Sequence, residues 1–208
     1  MIRRSLFLVF MLVLGSCKET TAGKPVTESE ALPKNKVTET RIIEEVYAFA
    51  IANTLEDHFP DAVIEETKKW IEEGTVEVVT LKLHPNTPKE LLINYSDLKK
   101  SDILSVEVYA FDSPWKSSTG IYMGMPIDEL ETLNKKPLSF YGYQWDNAGA
   151  VDFENGALSN TKLFAYLGAD AVVEMPDAFI GSDKKITSKQ AEESKINFKV
   201  TGLLYRPQ

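Results

Sequence analysis

The sequence has few of the residues on which many catalytic and metal sites depend. Its 208 residues include one cysteine, Cys17, and two histidines, His58 and His84. A single cysteine excludes a disulfide within the chain, and two histidines in separate segments exclude a helical metal pair such as His-Glu-x-x-His. Each histidine stands close before a proline, so we interpret both as turn or surface residues.

Basic residues are also outnumbered by acidic ones. The chain has 23 Lys and Arg against 31 Asp and Glu, which gives a net charge of −8 and a pI near 4.9. Because nucleic acids and anionic lipids attract proteins largely through positive charge, this balance argues against both as electrostatic partners. The sequence has no Gly-x-Ser-x-Gly elbow, Ser-x-x-Lys pair, phosphate loop or dinucleotide motif. It predicts no cofactor and no metal.

Long apolar runs are missing, apart from a short one at the start. Arg3 and Arg4 precede the apolar residues 6–14, and Leu14-Gly15-Ser16-Cys17 follows. A basic start, a run shorter than the ~20 residues that span a bilayer and small residues before a cleavage point make a secretory signal. We therefore predict a signal peptide over residues 1–16, with no later segment apolar enough to enter the membrane.

The four residues that end at Cys17 resemble the lipobox of bacterial lipoproteins. The resemblance implies cleavage before Cys17 and a lipid on its thiol, whose acyl chains anchor the protein to the membrane. Lys18, not aspartate, follows the cysteine; by the sorting rules of such lipoproteins this favours the outer membrane of the cell envelope. The periplasmic or surface face stays open. The alternative is an ordinary signal peptide with a chance cysteine.

The next segment, residues 17–38, is predicted to be a flexible tether. It is rich in Lys, Glu, Thr and Pro and has few large apolar side chains, so it cannot bury enough surface to offset its ordering entropy. The remaining ~170 residues suit one domain or two small ones without disulfides. We predict two packed units, 39–112 and 113–208.

Both units show the same order of predicted elements, a helix followed by antiparallel strands. In the first, apolar residues recur at helical spacing over 41–58, and strands are expected at 62–71, 75–83, 91–95 and 103–111. The stretch 62–71 also fits a helix, and the strand is preferred. The whole predicts an α+β fold of antiparallel sheets backed by short helices.

In the second unit, Pro126 begins a short helix, with acidic residues in its first turn. Strands are expected at 138–143, 150–153, 158–166 and 196–205, the last closing the second sheet. Residues 181–194 are polar and are predicted to form a loop with one helical turn.

Residues 119–153 carry a second resemblance. Gly124-Met125-Pro126, Asp128-Glu129 and Trp145-Asp146 resemble a segment of uncharacterised secreted lipoproteins, which have no assigned chemistry. The Gly-Met turn and its helix are also similar to outer-membrane-assembly lipoproteins of the SmpA type and to β-lactamase-inhibitor-like domains. Those domains often have a Leu-Gly step where this chain has Asn134-Lys135-Lys136. The similarity implies a shared architecture.

Acidic residues are abundant but do not form a recognisable motif. A cluster interleaved with glycines lacks the ligand spacing of an EF-hand loop, so we interpret it as turns. Its members are Asp146, Asn147, Asp152, Glu154 and Asn155. A hydrolase that uses two dispersed Asp or Glu residues stays open as an alternative function.

An aromatic segment is the most suggestive feature. On a strand, Tyr141, Tyr143 and Trp145 would project to one face and Phe140 to the other. Such a face beside Asp146 suits a glycan or a partner protein, whereas the alternative is that these rings pack under the second helix. We therefore expect a membrane-tethered, non-catalytic binding or assembly module, with the envelope hydrolase as the alternative.

Overall fold

The computed structural model describes residues 41–71, 74–169 and 173–207, which belong to one compact unit, Val37–Gln208. The predictions for Cys17, the signal peptide and the tether lie outside the described residues. The helices are α1 (Ile43–Ile51), α2 (Leu55–His58), α3 (Ile127–Asn134) and α4 (Ser188–Ser194). The strands are β1 (Ile64–Ile71), β2 (Val76–Leu83), β3 (Leu91–Tyr95), β4 (Ile103–Val108), β5 (Ser139–Tyr141), β6 (Val151–Asp152), β7 (Leu163–Ala169), β8 (Lys185–Thr187) and β9 (Phe198–Tyr205). None of the described helices has the length and apolar character needed to cross a membrane.

Antiparallel strands form two sheets, which confirms the predicted α+β class. The larger sheet has the order β1-β2-β3-β4-β9-β7 and the smaller one β6-β5-β8. The β1–β2 hairpin keeps an unbroken register from Ile64↔Leu83 to Ile71↔Val76. The preferred interpretation of residues 62–71 as a strand is therefore confirmed.

The last strand does not close a separate second sheet, and that prediction is wrong. Instead, β9 lies in the larger sheet between β4 and β7, where Tyr205 is paired with both Val106 and Leu163. One sheet thus contains strands from both predicted units, 39–112 and 113–208. Alternation along a strand shows which residues share a face, but the neighbouring strand is chosen by long-range packing.

The single helix predicted over 41–58 is two helices. The chain turns at Asn53, which has a left-handed φ of 55°, a conformation that asparagine tolerates better than most residues. The backbone N–H of Thr54 then donates to the carbonyl of Phe49 at 2.9 Å. After the turn, the ring of His58 stacks on Phe49 with centroids 3.5 Å apart.

The polar stretch 181–194 contains more structure than the predicted loop. It includes β8 and α4, and α4 begins with a capping box. Thr187 Oγ1 accepts from the backbone N–H of Gln190 at 3.2 Å, and Gln190 Oε1 accepts from that of Thr187 at 3.0 Å. The Thr-x-x-Gln spacing is a known helix start, so the sequence carried a signal for α4.

One face of the larger sheet forms the core with the helices. Alternate residues of the central strands, including Leu83, Ile93 and Val106, are fully buried together with Ile43 and Val46 of α1. Each such side chain stabilises the fold by about 1.5–3 kcal/mol relative to exposure. The intervening residues project to the opposite face, which we call the outer face of the sheet.

The two sheets meet along β6 and β7. Ala150 is bridged to Tyr166, and the backbone N–H of Leu167 donates to the carbonyl of Gly149 at 2.8 Å. Gly149 has a φ of 77°, and a Cβ there would lie 2.1 Å from the Leu167 carbonyl oxygen, so only glycine fits. This close approach places β5 and β6 beside β7 and forms the groove described next.

Candidate ligand-binding groove

The aromatic segment does not form the single face that the sequence predicted. The strand β5 ends at Tyr141, and Tyr143 turns inward to pack against Phe140 and Phe198, with centroid distances of 6.2 Å to each. The Tyr143 hydroxyl donates to the carbonyl of Leu167 at 2.9 Å, and burial raises its pKa. Strand alternation fails here because residues 142–145 leave the strand. Tyr143 is therefore a half-buried residue that packs against the core.

Tyr141 and Trp145 do lie together, as predicted. Their rings meet edge to face with centroids 5.9 Å apart, and Trp145 Nε1 donates to the carbonyl of Gly142 at 2.7 Å. Both side chains are half-buried, and Asp146 beside them is exposed. Of the four predicted binding residues, Asp146 is thus exposed, and Tyr143 packs against the core although it is half-buried like Tyr141 and Trp145.

Tyr141 lines a groove of about 450 Å³ between the two sheets, here called the Tyr141 groove. Phe164 of β7 lies on the other side, and its ring is also covered by the guanidinium of Arg206, 4.7 Å from the ring centroid. The polar residues of the lining are Asp152, Glu154, Asn155, Ser159 and Lys162. Exposed aromatic faces with hydrogen-bonding groups between them can hold a ligand by stacking and polar contacts.

The two carboxylates of the groove share one lysine. Lys185 Nζ lies 2.8 Å from Asp152 Oδ2 and 2.7 Å from Glu154 Oε1, and Ser139 Oγ donates to the same Glu154 oxygen at 2.7 Å. The hydrogen bond from Lys185 lowers the carboxyl pKa of Asp152 and of Glu154, and these bonds raise the pKa of Lys185. Both carboxyl groups are therefore ionised at neutral pH and are poor proton donors.

Two members of the acidic cluster 146–155, Asp152 and Glu154, are held by this lysine. Its ammonium group occupies the side of Asp152 and Glu154 where a cation would bind. Glu154 and Asn155 have φ values of 48° and 58°, as in the turn that the sequence predicted. Within residues 41–71, 74–169 and 173–207, no group of three or more His, Cys, Asp or Glu side chains is arranged to hold a metal ion.

Sequence reasoning missed Phe164 and Lys162 in the lining of the groove, and it missed Lys185, which pairs with two of the lining carboxylates. The alternation of β7 carried a signal, because Leu163 and Ala165 are buried and Phe164 between them is exposed. Lys162 and Lys185 had no such signal, since Lys162 precedes β7 of the larger sheet and Lys185 lies on β8 of the smaller one. These two segments come together only when the two sheets pack.

No family model matches the chain, and no curated protein matches it. The structure is similar to that of the uncharacterized protein yfeY from Escherichia coli, with a TM-score of 0.42 and 18% sequence identity over 82% of this chain and 92% of that one.

Proposed function

We propose that this protein is a lipid-anchored, non-catalytic binding module of the cell envelope, held in the outer membrane through Cys17. The lipobox and the tether in the sequence support the anchor. The Tyr141 groove supports the binding role, and its partner is a protein or a glycan of the envelope. The resemblance of residues 119–153 to uncharacterised secreted lipoproteins is consistent with this proposal.

One observation carries the choice of binding over catalysis. The two carboxylates that line the Tyr141 groove, Asp152 and Glu154, both have lowered pKa values because they share Lys185. A glycoside hydrolase needs one carboxyl group with a raised pKa to protonate the leaving group. This pair lacks such a group, so the envelope hydrolase has no support in the Tyr141 groove.

The test is site-specific cross-linking in intact cells. A photoreactive amino acid replaces Asn155 in the groove, and in a second strain it replaces Trp70, which is 62% exposed and lies on β1 outside the groove. We expect a discrete adduct from position 155, and its digestion by protease or glycosidase identifies a protein or a glycan. Tyr141→Ala with Phe164→Ala should abolish that adduct while the protein stays folded by circular dichroism.

Three results would count against the proposal. One is the same adduct from positions 155 and 70, and a second is an adduct that survives the double substitution. The third is turnover of an envelope polymer that Asp152→Asn or Glu154→Gln removes, which would restore the hydrolase.

A further inference from the structure

The outer face of the larger sheet contains a second groove, of about 330 Å³, which is separate from the Tyr141 groove. Lys69 reaches it from β1, and Arg206 reaches it from the end of β9. Its floor lies between them on β3 and β4. We call it the outer-face groove.

A row of polar residues crosses the sheet beneath this groove. The register pairs Thr80 with Asn94 and Asn94 with Ser105, and these three residues are only 3%, 3% and 5% exposed. Asn94 Oδ1 accepts from Thr80 Oγ1 at 2.7 Å and from Lys69 Nζ at 2.9 Å, and Asn94 Nδ2 donates to Ser105 Oγ at 3.1 Å. Burying a polar network is costly unless its members are satisfied.

Donors exceed acceptors in the outer-face groove. Lys69 uses one of its three N–H groups on Asn94, and Asn94 uses one of its two amide hydrogens on Ser105. In the part of the chain that the structure describes, neither Lys69 nor Arg206 forms an ion pair. The acid in the groove, Glu107, accepts from Ser105 Oγ at 2.5 Å and from the Tyr109 hydroxyl.

The groove therefore has two cations against one anion, in a chain whose net charge is −8. Its volume is near the lower end of the roughly 300–1,000 Å³ of small-molecule sites, and Val78 and Leu104 supply apolar walls. We propose that it binds a carboxylate or phosphate on a ligand of about one sugar residue, with the oxyanion between Lys69 and Arg206 and against the Asn94 amide. The proposal does not rest on the proposed function, although Arg206 also covers the ring of Phe164 in the Tyr141 groove.

The test is a titration of the full-length protein in detergent micelles, followed by NMR at the side-chain amide of Asn94. The probes are galacturonate, galactose 1-phosphate, neutral galactose and inorganic phosphate. We expect saturable shifts of the Asn94 amide with both acidic sugars, at a Kd of about 1 mM. Galactose should cause no shift, and inorganic phosphate should bind more weakly than the sugar phosphate.

Substitutions that remove charges of opposite sign distinguish binding in the outer-face groove from a general effect of net charge. Lys69→Gln with Arg206→Gln should weaken binding of the acidic sugars about 10-fold, and Glu107→Gln should tighten it about 3-fold. Lys82→Gln removes a positive charge from the same face outside the groove and should leave the affinity unchanged. Matching spectra away from the groove show that each variant is folded.

Equal binding of galactose and galacturonate would overturn the proposal, as would unchanged affinity in the folded Lys69/Arg206 double variant or an Asn94 amide that no acidic sugar shifts. Weaker binding by Glu107→Gln would overturn the charge argument. If inorganic phosphate binds as tightly as the sugar phosphate, the claim that the ligand is about the size of one sugar residue is wrong.

Discussion

The side chain of Asn134 fills the space beside Gly156, where a Cβ would lie 2.2 Å from Asn134 Oδ1. Asn134 is 0% exposed at the end of α3. Its Nδ2 donates to the carbonyls of Lys136 and Phe153 at 3.0 and 2.9 Å, and its Oδ1 accepts from the backbone N–H of Leu158 at 3.2 Å. This one amide ties α3 to the segment that leads into β7.

We expect Asn134→Asp to destabilise the fold by about 3–5 kcal/mol, since a buried carboxylate would face two carbonyl oxygens. Gly156→Ala should cost about 1–3 kcal/mol because the added methyl group overlaps the amide. In an Asn134→Ala background, however, Gly156→Ala should cost less, since alanine vacates that space. Urea unfolding of the wild type, Asn134→Ala, Gly156→Ala and the double variant measures the coupling energy between the two positions. Additive costs would contradict the contact between Asn134 and Gly156.

Tyr143 and Tyr141 should respond differently to truncation, because Tyr143 packs against the core and Tyr141 lines a groove. Tyr143→Ala should lower the free energy of unfolding by about 2–4 kcal/mol, and Tyr143→Phe by about 1 kcal/mol through the lost hydrogen bond to Leu167. Tyr141→Ala should cost less than about 1 kcal/mol. Urea unfolding measures the three changes in the free energy of unfolding. Equal costs for Tyr143→Ala and Tyr141→Ala would contradict the packing of Tyr143 against the core.

Lys185 should control how the groove carboxylates titrate. The pKa values of Asp152 and Glu154 are lowered in the folded chain, relative to about 3.9 and 4.3 for unfolded Asp and Glu, so their pairing stabilises the fold above about pH 4. That contribution is lost as pH falls through the lowered values. Lys185→Gln should raise both carboxyl pKa values, as ¹³C NMR titration would show. Lys184→Gln is the matched control and should leave both values unchanged.

Lys135 takes a left-handed conformation, with a φ of 58°, where α3 ends. Glycine adopts that conformation without the steric cost of a side chain. We expect Lys135→Gly to stabilise the protein by about 0.5–1 kcal/mol. The same change within α4, Lys189→Gly, should destabilise it by about 1 kcal/mol. Thermal unfolding distinguishes the two, and a loss of stability at both positions would contradict the backbone argument.

The anchor prediction rests on the sequence alone and can be tested directly. We expect the protein to incorporate an alkyne analogue of palmitate and to sediment with outer membranes, and Cys17→Ala to abolish the label and leave the signal uncleaved. Equal labelling of the wild-type and Cys17→Ala proteins would contradict the lipobox assignment.

Several elements could be predicted because their signals are local. The expected strand at 91–95 coincides with β3, and the predicted helix is α3, with Pro126 at its N-cap and acidic residues in its first turn. The helix break at Asn53 was missed, because the apolar residues on both sides fit a single helical stripe. The left-handed φ of Asn53 and the hydrogen bond from Thr54 to Phe49 show that the chain turns there.

The candidate site was only partly predictable for a related reason. Tyr141 and Trp145 were identified from their spacing, but Tyr143 was assigned to their face by an alternation that ends with β5. Phe164 and Lys185 lie far from Tyr141 in the sequence. The contact between β6 and β7 brings Phe164 to the groove, and the pairing of β5 with β8 brings Lys185 to the groove carboxylates. No pattern within a single segment contains that information.

The sequence by itself determined the α+β class, the small number of histidine and cysteine residues and the excess of acidic over basic residues. These properties follow from composition and short-range periodicity. The tertiary structure decided that β9 lies inside the larger sheet, that Tyr143 packs against the core, and that Lys185 joins Asp152 to Glu154. Each depends on which distant segments pack together. That choice is made by the burial of the whole core and not by any local pattern.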